Sequence, residues 1–330
     1  MAKKKKVTLH DIADKTGFSI TTISHVINKT RHVESETRRI IQKAVDELGY
    51  SPQRKTVSNG NLIIGVITAD IRVDFFYEII KEIELVARNL GYNLIFCDSE
   101  ESVETEKDCI EMLLKRDVAG IILAPCDVNS DYSYLKEKHR MPVVLIDRDF
   151  KKRMFDFVGI DNFKSAYLAI QELIQSNVKR IAYIGFNDSL YCEVERKSGY
   201  KAAICEAGLF DQNLILGLEH HTEGMKYGIY DFLENNPDIE AILCINSNIC
   251  YETLWSLEEL GITNENGPVI ISYDDNKWFD QLKYPVTSIK QPTGDIATVA
   301  TEMLIDKIVK KKKTGSPKLI FLNYEFIRRS

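Results

Sequence analysis

The chain has 330 residues, 44% of them apolar and 28% charged, which suits a soluble globular protein of two or three domains, each with its own core. No apolar run approaches the roughly 20 residues needed to span a bilayer, and the charged start Met1 to Lys6 leads into a polar pattern without the apolar core of a signal peptide. Seven cysteines, odd in number, scattered through apolar stretches and without a C-x-x-C pair, speak against a disulfide framework or a zinc site and for a reducing cytoplasm. Charge is unevenly spread. Residues 1–60 hold 12 Lys and Arg against 6 Asp and Glu, or +6, while the whole chain is −6, so the other 270 residues carry −12. A small cationic head on an acidic body implies that the head meets an anion, and the phosphate backbone of nucleic acid is the usual one for a helical module of this size.

Thr8, with Asp11 three residues on, opens a short helix that runs to Thr16, with acids in the first turn where the helix dipole favours them. Gly17 supplies a tight turn. Ser19 then caps a second helix, Ile20 to Asn28, whose Ile23, Val26 and Ile27 recur at helical spacing and face Ile12 and Ala13. A third helix is expected from Ser35 to Leu48, with Ile40, Ile41, Ala44, Val45 and Leu48 on its apolar stripe and Gly49 ending it. Three short helices with a glycine turn between the first two make a helix-turn-helix, whose second helix enters the major groove. The run Lys3 to Lys6 reads equally as a solvated tail or as an arm on phosphates.

Beyond Pro52, residues 53–61 read as a linker. From Leu62 apolar strands alternate with amphipathic helices. Leu62 to Ile67 is a nearly continuous apolar run, as a strand buried on both faces requires. The next helix carries Phe76, Ile79, Ile80, Ile83, Val86, Ala87 and Leu90 on one stripe and stops at Gly91. Strands are expected at Asn93 to Cys97, Gly120 to Ala124 and Val143 to Asp147. A second series begins with a helix after Asp161, running to Gln175, followed by strands at Arg180 to Gly185, Ala241 to Ile245, Val269 to Tyr273 and Val286 to Ile289. The helix Ile296 to Val309 and a strand Leu319 to Ile327 close the chain. Two β-α series imply an α/β body of two lobes, each a doubly wound parallel sheet, with a ligand cleft at the strand C-termini.

The head resembles the lactose repressor/galactose repressor family of bacterial transcription regulators. The resemblance is carried by Val7-Thr8-Leu9-His10-Asp11-Ile12-Ala13, Gly17-Phe18-Ser19, Thr22-Ile23-Ser24, Val26-Ile27-Asn28, Val33, Thr37-Arg38 and Leu48-Gly49-Tyr50-Ser51-Pro52. It continues through the body in Ile64-Gly65-Val66, Asp70, Phe75-Phe76, residues 119–125, 144–148, Asp161-Asn162, Arg180-Ile181-Ala182, Glu195-Arg196, Gly199-Tyr200, Asn246, Tyr273-Asp274-Asp275 and residues 288–292. It implies a DNA-binding head over residues 1–52, a hinge over 53–61 and a body like a periplasmic binding protein over 62–330. One lobe would comprise 62–160 with 291–318, the other 161–290 with 319–330. By position, Ile20, Thr21 and His25 correspond to base-reading side chains, while Ser19, Thr22, Ser24 and Asn28 contact or orient on phosphates, and Thr8 counts among the DNA-binding residues. His25 stands where the family commonly has arginine. The linker is about three residues shorter than the family's and lacks its leucine, leaving Val57 as the apolar wedge and Arg54 and Lys55 to follow phosphates.

For an effector, the resemblance and the strand-end positions single out Asp70, Phe75, Arg148, Arg196, Asn246 and Asp274. Arg148 and Arg196 can donate in forks to vicinal hydroxyls and Asp274 can accept from two. Each has a plainer alternative: Asp274 a turn cap, Phe75 core, Asp147 with Arg148 an ion pair between lobes. Two departures fall at the cleft. Ser247 replaces an aspartate, and Arg72-Val73-Asp74 replaces a Ser/Asn-Pro turn, the Arg72 charge pointing to an acidic or phosphorylated ligand or simply to a solvated side chain. No phosphate-binding loop, dinucleotide fingerprint or nucleophile elbow is present, so an enzyme lacks its usual parts, and His220-His221 is poorly spaced for a metal. No cofactor is expected. The expected function is a sequence-specific transcriptional regulator, most simply a repressor, working as a homodimer on a palindromic operator of double-stranded DNA under control of a small carbohydrate. Alternatives are a cytoplasmic solute-binding protein or a regulator answering to a nucleobase or a phosphorylated ligand. The ending Arg328-Arg329-Ser330, with no leucine heptads after it, favours a dimer over a tetramer. The run Lys311 to Lys313 reads as a solvated loop.

Overall fold

A computed structural model describes residues 7, 9–19, 22–23, 26–27, 33–50, 62–186, 190–219, 224–310 and 316–329. The hinge 53–61, His220-His221 and Lys311 to Lys313 lie outside these residues.

The head contains α1 (Leu9–Thr16) and α2 (Ser35–Leu48), and Thr22, Ile23, Val26 and Ile27 between them are helical. Ile12, Ile23, Val26, Ile41, Ala44 and Val45 form its core, with Ala13, Ile27 and Leu48 packed against it. Ile40, expected on the same stripe, is 37% exposed. One residue turns a helix by about 100°, so Ile40 lies on the flank once Ile41 faces inward. Gly49 ends α2 in the left-handed conformation (φ 64°), which lets its N–H reach the Asp46 carbonyl at 3.2 Å.

The body follows the alternation read from the sequence. The first lobe runs β1 (Ile63–Thr68), α3 (Asp74–Asn89), β2 (Asn93–Asp98), α4 (Val103–Lys115), β3 (Gly120–Leu123), α5 (Ser133–Glu137), β4 (Val143–Ile146) and β5 (Asp156–Gly159). The second runs α6 (Asn162–Gln175), β6 (Ile181–Phe186), α7 (Tyr191–Glu206), β7 (Ile215–Leu218), α8 (Met225–Glu234), β8 (Ala241–Cys244), α9 (Ser247–Glu259), β9 (Val269–Tyr273) and β10 (Val286–Lys290). The chain then returns to the first lobe as α10 (Thr293–Lys310), whose Ile296, Ala297, Ala300, Leu304 and Ile305 share a core with Ile64, Val66, Ile79 and Ile83. Alternate residues of the same strands serve the other face: Ile67, Ile121, Leu123, Val143 and Leu145 pack with Ile110 and Leu113 of α4. This is why those strands are apolar at nearly every position.

The last expected strand, Leu319 to Ile327, is two strands in different sheets. β11 (Leu319–Phe321) pairs parallel with β5 in the first lobe, and β12 (Glu325–Ile327) pairs antiparallel with β10 in the second. Residues 319–321 thus belong to the first lobe, not to the second as expected. The two sheets share one strand order, β11-β5-β4-β3-β1-β2 and β12-β10-β9-β8-β6-β7, and differ in the direction of the edge strands β11 and β12. The equivalence extends to detail. Asp147 directly follows β4 with φ 60°, Asp274 directly follows β9 with φ 67°, and their N–H groups donate to Val158 of β5 and Ile289 of β10. Aspartate is among the few non-glycine residues that take this left-handed conformation at modest cost.

Candidate functional site

In the head, Gly17 (φ 73°) makes the turn after α1 and donates to Ala13 O at 2.8 Å. Ser19 then caps the following helical segment: its Oγ accepts the Thr22 N–H at 3.1 Å and lies 2.8 Å from the Thr22 hydroxyl. Lys15 ties α1 to α2 through Glu47 at 2.6 Å. Of the residues expected to meet DNA, Ser19 and Thr22 are described. Thr8, Ile20, Thr21, Ser24, His25, Asn28, Arg54, Lys55 and Val57 lie outside the described residues.

Between the lobes, at the C-terminal ends of β1, β2, β4, β6, β8, β9 and β10, lies a cavity of about 390 Å³. Asp70, Phe75 and Arg148 line it from the first lobe and Arg196, Asn246 and Asp274 from the second, so all six residues singled out from the sequence share one wall system. Their partners differ from those expected. The Arg148 fork is taken, its two terminal nitrogens donating to Glu101 at 2.7 and 2.6 Å, and its plane lies over the Phe76 ring. Asp147 touches Arg148 Nε at 3.4 Å, and both belong to the first lobe, so the pair is not a bridge between lobes. Asp70 accepts from Arg72 through both carboxylate oxygens. Arg72 is therefore paired, though its side chain stays largely exposed, and it is not an open anion site.

Arg196 is positioned by α6 and β9. Its Nε donates to Asn162 Oδ1 at 2.8 Å, its Nη1 to Ile245 O at 2.7 Å, and its guanidinium stacks 3.7 Å from the Tyr273 ring centre. The Tyr273 hydroxyl is fixed in turn by Ser165 at 2.6 Å. Gly199, three residues along α7, makes this possible: a Cβ there would sit 2.2 Å from Phe163 O, so only glycine lets α7 approach α6 closely enough. Arg196 Nη2 has no hydrogen-bond partner among the described residues. Asp274 accepts from Gln291 Nε2 at 2.9 Å, and burial pushes its carboxyl up to about 6. Burial also raises Asp147, against the pull of Arg148 and Arg196. Asn246 caps α9 by accepting the Ile249 N–H at 2.9 Å. Phe75 is both wall and core.

Sequence reasoning missed Glu101, Cys192, Glu193, Asn248 and Gln291 in the wall. For Glu101 the available signal was its place just past a strand end, where Glu100 and Glu101 follow β2. Burial holds the Cys192 thiol up at about 12, so it stays protonated and is no nucleophile at neutral pH. Ser247, expected at the cleft, is instead buried at the start of α9 and its neighbour Asn248 faces the cavity.

A cavity between two like sheets, joined to a small helical head, defines a two-lobed ligand-binding protein that carries a DNA-binding module. Residues 61–329 match the family described as periplasmic binding proteins and sugar binding domain of LacI family, and residues 8–53 match the bacterial regulatory proteins of the lacI family. The chain belongs to the LacI family: it is a DNA-binding transcriptional regulator with a ligand-binding domain. It is 30% identical over 328 residues to the HTH-type transcriptional regulator RegA of Clostridium saccharobutylicum, covering 98% of each chain. It is equally 30% identical over 329 residues to the HTH-type transcriptional repressor PurR of Vibrio atlanticus, again covering 98% of each. Among solved structures, the transcriptional regulator CelR in complex with cellobiose superposes with a TM-score of 0.72 at 23% identity, over 98% of both chains. Among the described residues no helix is long and apolar enough to cross a membrane.

Proposed function

We propose that this chain is a repressor that binds a palindromic operator as a homodimer, and that an uncharged polyhydroxylated small molecule, a sugar or sugar derivative, sets its affinity for that operator from the cavity between the lobes. The observation that carries this reading is the cavity itself. An aromatic face (Phe75), a stacked guanidinium with an unpaired N–H (Arg196) and a buried acceptor (Asp274) surround a volume suited to a mono- or disaccharide. The match of the body to a sugar-binding family and the naming of a 30% relative as a repressor support it.

One head reads one half-site, so two chains are needed for a two-fold operator. In each head Ile20, Thr21 and His25 read bases, Ser19, Thr22, Ser24 and Asn28 set the head on phosphates, Thr8 joins the DNA-binding face, Arg54 and Lys55 follow phosphates and Val57 is the minor-groove wedge. Ligand contacts from both lobes favour one lobe angle over another, and that difference in affinity drives the switch. The test is selection of bound duplexes from a random pool, followed by a salt titration. A recovered palindrome whose affinity falls steeply with salt is the expected outcome. Retention of DNA without any consensus would overturn the reading.

A further inference from the structure

The first lobe brings two guanidinium groups to the cavity, and both are closed by carboxylates. Arg148 donates twice to Glu101. Asp70 Oδ1 accepts Arg72 Nε at 2.8 Å and the Arg72 backbone N–H at 2.9 Å, while Oδ2 accepts Nη2 at 2.9 Å. Asp70 is 6% exposed and lies just past the end of β1, whereas the Arg72 side chain is 64% exposed. The carboxylate is thus the fixed partner and the arginine the group it disarms. Five carboxylates (70, 101, 147, 193 and 274) stand against three guanidinium groups (72, 148 and 196) in the wall, a formal surplus of two negative charges.

Phosphorylated ligands are recognised by an open arginine fork that donates two parallel N–H bonds to phosphate oxygens. Here an anion would have to displace Asp70 from Arg72 and then lie beside the buried carboxylate it had displaced. A neutral polyol meets no such obstacle. We propose that Asp70 is a specificity-determining residue which, by occupying the Arg72 fork, excludes phosphorylated ligands and restricts the cavity to uncharged ones. The inference rests on the reading of the cavity as an effector site, but it concerns anion uptake and can be tested without DNA.

The experiment is calorimetric titration of the full chain with inorganic phosphate and with glucose 6-phosphate. The wild type should show no saturable uptake into the cavity. Asp70→Asn should gain affinity for both by about tenfold or more, the scale of one charge-assisted hydrogen-bonded contact. The gain should vanish in D70N/R72Q, and Asp70→Glu should keep the wild-type rejection. Because Arg72 is largely exposed, Arg72→Gln on its own leaves the buried groups in place and should not change the wild type's response to either anion. Saturable anion uptake into the cavity by the wild type, or no gain in a folded D70N, would overturn the proposal. Failure of operator control would overturn the function proposed above and leave this result standing.

Discussion

Glu101→Gln should destabilise the protein by about 3–5 kcal/mol, the usual cost of leaving one member of a buried ion pair without its partner. Arg148 and Glu101 are joined by two short hydrogen bonds, and both side chains are more than nine-tenths buried. In the variant the guanidinium retains the Pro125 carbonyl at 3.4 Å and the Asp147 carboxylate at 3.4 Å, neither of which replaces the lost fork. The double variant E101L/R148M removes both charges and should recover to within about 2 kcal/mol of wild type, since a buried pair is worth little against well-packed apolar groups. Urea denaturation of the three proteins measures this. A single variant costing under about 1 kcal/mol would show that water reaches the pair and screens it.

Asp274→Asn should change how stability depends on pH. Burial raises the Asp274 carboxyl from its ordinary 3.8 to about 6, so the folded protein holds a proton there that the unfolded chain has released. The stability associated with that proton is fully present below pH 4 and is lost as pH rises through 6. A shift of about two units corresponds to roughly 3 kcal/mol. The amide of the variant carries no charge at any pH and lacks this loss. The variant should therefore match wild type near pH 4 and exceed it by up to roughly 3 kcal/mol at pH 7.5. Thermal or urea melts across that range would show two diverging curves. Parallel curves would mean that Asp274 is hydrated in the folded protein. A ligand that donates hydrogen bonds to ionised Asp274 would offset the same cost.

What the sequence made legible follows the reach of local patterns. Helix α2 and strand β9 have their expected ends because apolar period and a following glycine or turn residue mark them. β5 (DFVG) and β7 (ILGL) went unread: β3, β4 and β8 are equally short but hold three or four consecutive apolar residues, whereas within β5 and β7 no apolar run exceeds two. The β11–β12 break, residues 322–324, is marked only by Asn323, with no glycine or proline, and it is the pairing partners that place the two halves in different sheets. The cavity wall was legible at strand ends, where Asp70, Arg148, Asn246 and Asp274 stand. Their pairing was not. Glu101 is 47 residues from Arg148 and Asn162 is 34 from Arg196, and only the folded sheets bring these pairs together. That pairing decides which groups remain open to a ligand: it closes Arg148 and leaves Arg196 with an unused N–H.

Coupling between head and cavity is tested most directly by measuring affinity for the selected operator, by fluorescence anisotropy, in the presence of glucose, ribose, cellobiose and glucose 6-phosphate, with wild type and Arg196→Leu side by side. At least one neutral sugar should change wild-type affinity by about tenfold or more, within the usual range of coupling between two sites. The same sugar should leave Arg196→Leu unmoved while that variant still binds the operator. An operator affinity indifferent to every neutral sugar but shifted by the phosphorylated one would contradict it.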